Sequence, residues 1–136
     1  MQLSSLAGAA TQPWRQTVHR VGEIAFALKA GVSEINVESE PEMRLASQVA
    51  QSLGTRAVIA IRVNPDVSAG GHAKISTGKS DNKFGVSFSE AERLYAQAAN
   101  NAGLKPVGVT CHIGSQITDL APMAEAFGKM KGLVQR

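Results

Sequence analysis

From residue 21 onward the apolar positions fall into two alternating rhythms. Val21, Ile24, Ala25 and Leu28 recur at the helical period of about 3.6 residues, and Gly31 stands where a helix C-terminus takes a positive φ. This predicts a helix ending near Ala30. Glu34-Ile35-Asn36-Val37-Glu38 then alternates as a strand does, and Pro41 suits the first turn of a following helix, carried by Ala46, Val49, Ala50 and Leu53 up to Gly54. Ala57-Val58-Ile59-Ala60-Ile61-Arg62-Val63 is nearly continuous in apolar residues, the pattern of a parallel strand buried on both faces. A polar, glycine-containing stretch runs from Asn64-Pro65 to about Ser87, longer than a loop usually is without a functional reason. Ser89 and Glu92 make a capping-box pattern for a helix with the stripe Ala91, Leu94, Tyr95, Ala98 and Ala102, which Gly103 closes. Val107-Gly108-Val109-Thr110-Cys111-His112 reads as a third strand. Met123, Phe127, Met130 and Val134 mark a last helix with Pro122 in its first turns.

Residues 21–136 therefore read α-β-α-β-α-β-α. Residues 1–20 show no sustained period and are set apart as an atypical N-terminal segment. Strands separated by crossover helices imply a parallel sheet, and two architectures compete for it. A dinucleotide-binding doubly wound sheet would show Gly-x-Gly-x-x-Gly after its first strand, and no such spacing follows Val37, Val63 or His112. A (β/α)8 barrel has the same local pattern but takes eight strands and typically about 250 residues. With 136 residues, the expectation is a partial TIM-type barrel of about three βα units.

Composition narrows the classes of function. The chain is 43% hydrophobic, enough for a core, but its apolar runs are far shorter than the roughly 20 residues of a membrane-spanning helix. The net charge of 14 − 11 = +3 comes from scattered basic residues, and one Trp and one Tyr provide no series of rings on which bases could stack. Neither nucleic acid nor membrane is an expected partner. A lone Cys111 excludes an intramolecular disulfide and fits a reducing compartment, so a cytoplasmic location is expected. The histidines stand at 19, 72 and 112 without ligand-like spacing, and no metal site is expected.

In either architecture chemistry sits at the C-terminal ends of the strands, at Glu38-Ser39, Arg62-Val63-Asn64-Pro65 and Cys111-His112-Ile113-Gly114-Ser115-Gln116. A histidine at a strand mouth followed by Gly and Ser offers a flat imidazole, a flexible turn and a hydroxyl beside exposed N–H groups, which suits a ring-bearing phosphate. The residues alone favour the blander reading, in which His112 is a half-buried strand residue and Gly114-Ser115 a turn. Arg62 ends an apolar strand and must find an anion, carbonyls or a salt bridge with Glu38. His72, Lys74, Lys79 and Lys83 lie in the long loop and read as solvated. Cys111 and His112, as adjacent strand residues, point to opposite faces and make a poor nucleophile pair.

Five segments in series, Ile35-Asn36-Val37-Glu38-Ser39-Glu40-Pro41-Glu42, Arg62-Val63-Asn64-Pro65-Asp66-Val67, His72-Ala73-Lys74-Ile75-Ser76-Thr77-Gly78, Asn82-Lys83-Phe84-Gly85 and Cys111-His112-Ile113-Gly114-Ser115-Gln116, resemble the diaminopimelate decarboxylases. These are pyridoxal-phosphate enzymes with an alanine-racemase-like barrel. The resemblance runs from about Val21 to the C-terminus. It implies decarboxylation of meso-diaminopimelate to lysine, a step of lysine biosynthesis, by a homodimer. It further implies that His112 stacks on the pyridine ring, Ser115 lies near the cofactor phosphate, Gly114 allows close approach and Arg62 points into the barrel beneath the cofactor. The family's Tyr-Ala-x-Lys-Ala-Asn lysine, glycine-rich phosphate loop, Glu-Pro-Gly-Arg motif and catalytic cysteine have no counterpart here, so no catalytic residue is assigned. The expectation is an internal piece of such a barrel, inactive alone. The alternative is a non-catalytic barrel piece that binds a phosphate ligand or associates with an enzyme.

Overall fold

In a computed structural model, described for residues 15–17, 20–67, 85–114 and 119–135, eight elements alternate. They are β1 (Arg15–Thr17), α1 (Val21–Ala30), β2 (Glu34–Val37), α2 (Glu40–Ser52), β3 (Ala57–Val63), α3 (Phe88–Ala99), β4 (Leu104–Cys111) and α4 (Ala121–Val134). The strands form one parallel sheet in the order β1-β2-β3-β4, with each strand paired to its neighbour in sequence. This is the α/β pattern expected, with one strand more than the periodicity reveals. A three-residue strand is too short to show alternation, so β1 lies hidden in the segment that reads as featureless.

Local signals explain the helix boundaries. Gly31 caps α1 in the left-handed region at φ 73°, and Ser39 accepts the Glu42 N–H at the start of α2, with Pro41 in the first turn. The third helix begins earlier than its capping pattern predicts. Ser87 rather than Ser89 is the N-cap and accepts the Glu90 N–H at 3.3 Å. Nor does Gly103 close that helix, which ends at Ala99. Gly103 is instead demanded by close approach, since a Cβ there would stand 2.7 Å from the Ser47 carbonyl oxygen. Asn101 Oδ1 locks the same turn by accepting from the Gly103 N–H at 2.8 Å and the Ser47 hydroxyl at 2.7 Å.

One core cluster joins the sheet to the helices. Ile35 and Val37 of β2 and Ile59, Ile61 and Val63 of β3 pack with Ile24 and Ala27 of α1, Met43, Ala46, Val49 and Ala50 of α2, and Ala91, Leu94 and Ala98 of α3. Because these strand residues alternate, the helices lie on one face of the sheet. Asn36, Glu38, Ala60 and Arg62 are thereby assigned to the other. That arrangement is the wall of a barrel, with helices outside and a second face inside.

β4 contains an irregularity that decides which way its end points. Ile59 is level with Pro106, but Ala60 is level with Gly108, so Val107 is an extra residue in a β-bulge. Proline has no N–H for the ladder and is tolerated at such a point. Below the bulge Leu104 is buried in the core; above it Val109 and Cys111 pack against the core. Unbroken alternation from Leu104 would have sent Gly108, Thr110 and His112 toward the helices. The bulge turns them to the inner face instead.

The last helix departs from its predicted stripe. Pro122 and Ala126 are buried and Met130 and Leu133 partly so, whereas Phe127 is 57% and Val134 70% exposed. Of the Met123-Phe127-Met130-Val134 line, Met130 packs against the core while Phe127 and Val134 face solvent. Three variants test this packing by denaturant unfolding. Leu94→Ala, at a fully buried site, should cost about 2–5 kcal/mol, while Phe127→Ser should change stability by no more than about 0.5 kcal/mol. Deleting Val107 should cost about 3 kcal/mol or more, or abolish the cooperative transition, because it reverses every later side chain of β4. An unchanged melting curve for that deletion would show that the bulge does not set the register.

Candidate functional site

The C-terminal ends of β2, β3 and β4 meet on the inner face. Each is fixed by its own turn. At the end of β2 the Glu38 N–H donates to Glu42 Oε2 at 2.7 Å, which ties the strand exit to the first turn of α2. Glu38 is therefore held by the same capping arrangement that starts the helix. Arg62, next to last in β3, donates from Nη1 to Glu38 Oε1 at 2.5 Å. The pair is largely sequestered, with side chains 8% exposed for Glu38 and 22% for Arg62. Of the partners that the sequence left open for Arg62, the salt bridge with Glu38 is present.

Beyond β3 the chain turns sharply. Asn64 Oδ1 accepts the Asp66 N–H at 2.9 Å, Asp66 sits at φ 47°, and Lys129 Nζ on α4 donates to the carbonyls of Pro65 at 3.1 Å and Asp66 at 3.2 Å. Nothing in the sequence marked Lys129 for this contact. The chain returns at Gly85-Val86, where Val86 bridges β3: its N–H donates to the Arg62 carbonyl at 2.9 Å and its carbonyl accepts the Asn64 N–H at 2.8 Å. Gly85 is at φ 86°, and a Cβ there would lie 3.0 Å from the Arg62 carbonyl oxygen. Only glycine fits without displacing the backbone that carries Arg62.

The end of β4 supplies the third part. Arg62 is level with Thr110, so Glu38, Arg62 and Thr110 form a row, with His112 two residues further along the same face. His112 lies just past the strand end and is exposed, not half-buried, and Gly114 is at φ 129°. Cys111 points to the core side, as adjacent-residue geometry requires; partial burial pushes its thiol above the ordinary range, and nearby Arg62 partly opposes this. Thr110 was not singled out by sequence because its orientation depends on the bulge. Ser115, His72, Lys74, Lys79 and Lys83 lie outside the described residues.

A cavity of about 380 Å³ opens on the opposite, helix-covered side, between α3, β4 and α4, lined by Ala91, Tyr95, Val107, Val109 and Leu133 among others. It contains none of the strand-end residues. Its walls are mostly apolar, with Glu92 and Tyr95 as the polar side chains among the described residues. The inner face offers an ion-paired guanidinium, a hydroxyl, an exposed imidazole and a side-chain-free turn. One row deeper, Asn36 Oδ1 is buried without a hydrogen-bond partner among the described residues. An acceptor so placed fits a site that receives a donor from elsewhere.

Residues 12–136 match the family model for the pyridoxal-dependent decarboxylases, pyridoxal binding domain. Diaminopimelate decarboxylase from Neisseria meningitidis serogroup A is 49% identical over 112 residues, 82% of this chain and 28% of that protein. Its counterpart from Pseudomonas aeruginosa is 49% identical over 110 residues, 81% of this chain and 26% of that one. The chain thus spans little more than a quarter of the length of these curated relatives. Among solved structures, diaminopimelate decarboxylase from Helicobacter pylori in complex with L-lysine superposes with a TM-score of 0.82 at 39% identity, covering 98% of this chain and 35% of that one. An alanine racemase from Clostridium difficile superposes with a TM-score of 0.67 at 13% identity, which extends the likeness to the barrel fold alone. With the family model matched over residues 12–136 and the fold superposing on a diaminopimelate decarboxylase at a TM-score of 0.82, the chain belongs to the pyridoxal-dependent decarboxylases, as a stretch of their pyridoxal binding domain.

Proposed function

We propose that this chain forms part of the cofactor-binding barrel of a diaminopimelate decarboxylase, a lyase that releases one carboxyl group of meso-diaminopimelate as carbon dioxide and leaves lysine. The observation that carries this reading is the row Glu38-Arg62-Thr110 with exposed His112 and positive-φ Gly114 at its edge. It lies at the carboxyl ends of parallel strands, where barrels of this type place their chemistry.

The residues present fit pyridoxal phosphate. His112 would hold the ring, because a flat, exposed imidazole can lie against a pyridine face. Gly114 and Ser115 would border the phosphate; a glycine at positive φ brings backbone N–H groups close to an anion, and the Ser115 hydroxyl adds a donor. Arg62, fixed by Glu38, would stand beneath the ring. When bound, the cofactor supplies the electron sink for the pair of electrons left when the carboxyl group departs. None of the residues named here transfers the proton that replaces the carboxyl group, so they act in binding and orientation. The same reading makes the substrate a small amino acid, the assembled enzyme a homodimer and the compartment the cytoplasm, where the single thiol Cys111 stays reduced.

Three outcomes are expected. In a chimaera that carries residues 21–136 of this chain in place of the matching stretch of the Neisseria enzyme, lysine formation should persist. His112→Ala in that chimaera should then lower cofactor affinity or turnover by about tenfold or more, a loss of ring orientation. A chimaera that folds without forming lysine would refute the proposed activity, and an unaffected His112→Ala would return His112 to a plain strand-end role. The 136-residue chain by itself should form no lysine when incubated with pyridoxal phosphate and substrate, since groups that act as a unit fail together. Substrate-dependent lysine production by the chain alone would contradict the assignment of a partial site.

A further inference from the structure

We infer that Glu38 is the positioning residue of the cofactor site: through its ion pair it sets the place and orientation of the Arg62 guanidinium toward the pyridoxal ring. The inference rests on the reading of this face as a pyridoxal-phosphate site. Three observations converge on it. Both partners are largely withdrawn from water, and Glu38 is the more deeply buried at 8% side-chain exposure. A carboxylate so enclosed is retained at a desolvation cost that a lone surface pair does not carry.

Second, both partners are held by their backbones. The Glu38 N–H is tied to Glu42 at 2.7 Å, and the Arg62 carbonyl accepts from Val86 at 2.9 Å with Gly85 packed against it. A carboxylate anchored in this way can fix a long, rotamer-rich side chain in one orientation. Third, the pair stands level with Thr110 and below His112 on the face that the β4 bulge exposes, rather than in the helix-side core. Its position serves the strand mouth. The ion pairs of Glu40 are comparably close but join helix residues whose arginines reach solvent, Arg44 at 70% and Arg93 at 48% side-chain exposure.

The test uses the apo form of the chimaera that carries residues 21–136 in the Neisseria enzyme, isotope-labelled, with pyridoxine 5′-phosphate as probe. That compound carries the ring and phosphate of the cofactor but has no aldehyde, so it cannot label surface lysines. Inorganic phosphate is titrated in parallel. In the wild type the Arg62 guanidinium nitrogens should give resolved, slowly exchanging NMR signals, and both His112 and Arg62 signals should shift as pyridoxine 5′-phosphate is added. Glu38→Gln should broaden the Arg62 signals and weaken pyridoxine 5′-phosphate about fivefold to tenfold. Phosphate should bind that variant as well as before or better, because a negative charge has been removed.

Glu38→Asp, which keeps the charge one methylene further back, should lie between the two. It also serves if the glutamine variant fails to melt cooperatively. Equal binding of pyridoxine 5′-phosphate to wild type and Glu38→Gln, or sharp Arg62 signals in that variant, would overturn the positioning role alone. A folded chimaera with the wild-type Glu38 that shows no shift of His112 or Arg62 with pyridoxine 5′-phosphate would overturn the cofactor reading itself, and the inference with it.

Discussion

One extra residue in one strand governs the polar face of this molecule. Side chains of a strand alternate, so the orientation of everything after a bulge is the reverse of what an unbroken ladder gives. In β4 the bulge at Val107, beside Pro106, lets Leu104 and then Val109 and Cys111 serve the same helix-side core. The odd spacing between Leu104 and Val109 could not be achieved otherwise. Thr110 and His112 come to share the inner face with Glu38 and Arg62 as a direct result. The core and the candidate site are therefore two outcomes of a single register.

The charges follow a similar division. Glu40 interacts with Arg93 and Arg44, which hold its carboxyl below the usual carboxylate range, but that network lies in solvent and contributes little beyond linking α2 to α3. The Glu38–Arg62 pair lies on the sheet face and is mostly removed from water. Its desolvation is offset only if both ends are satisfied and fixed, which the β2–α2 cap and the Gly85-Val86 bridge accomplish. The glycine that packs against β3 and the serine that caps α2 are thus part of the same site as the charged side chains.

Much of this was legible in the sequence, and the exceptions have physical causes. The continuous apolar run of β3 gave its limits to the residue, and Gly31 and Pro41 acted where their conformational preferences place them. At the strand ends the sequence named the Glu38–Arg62 ion pair among its alternatives, and residue type alone marked His112 and Gly114 as the positions to weigh. β1 was not legible, because three residues carry no period. The stripe of α4 was right at Met130 and wrong at Phe127 and Val134, because spacing reveals an apolar face without saying whether a neighbour covers it; Pro122 and Ala126 turn inward instead. Gly103 misled because a glycine needed for close approach looks the same as one that ends a helix. Thr110 escaped notice because a bulge leaves only a proline as its trace, and Lys129 because a lysine that reaches two carbonyls is indistinguishable in sequence from a solvated one.

The most direct test of this account is the proton–proton contact pattern of β4 in the folded chain, read by nuclear Overhauser spectroscopy. The account predicts contacts from the Val109 methyl groups to Ala91 and Tyr95 of α3, with the Thr110 methyl close to the Arg62 side chain and to no helix. If instead the Thr110 methyl contacts α3 while Val109 contacts Arg62, the bulge is absent, the inner face loses Thr110 and His112, and the site described here does not exist.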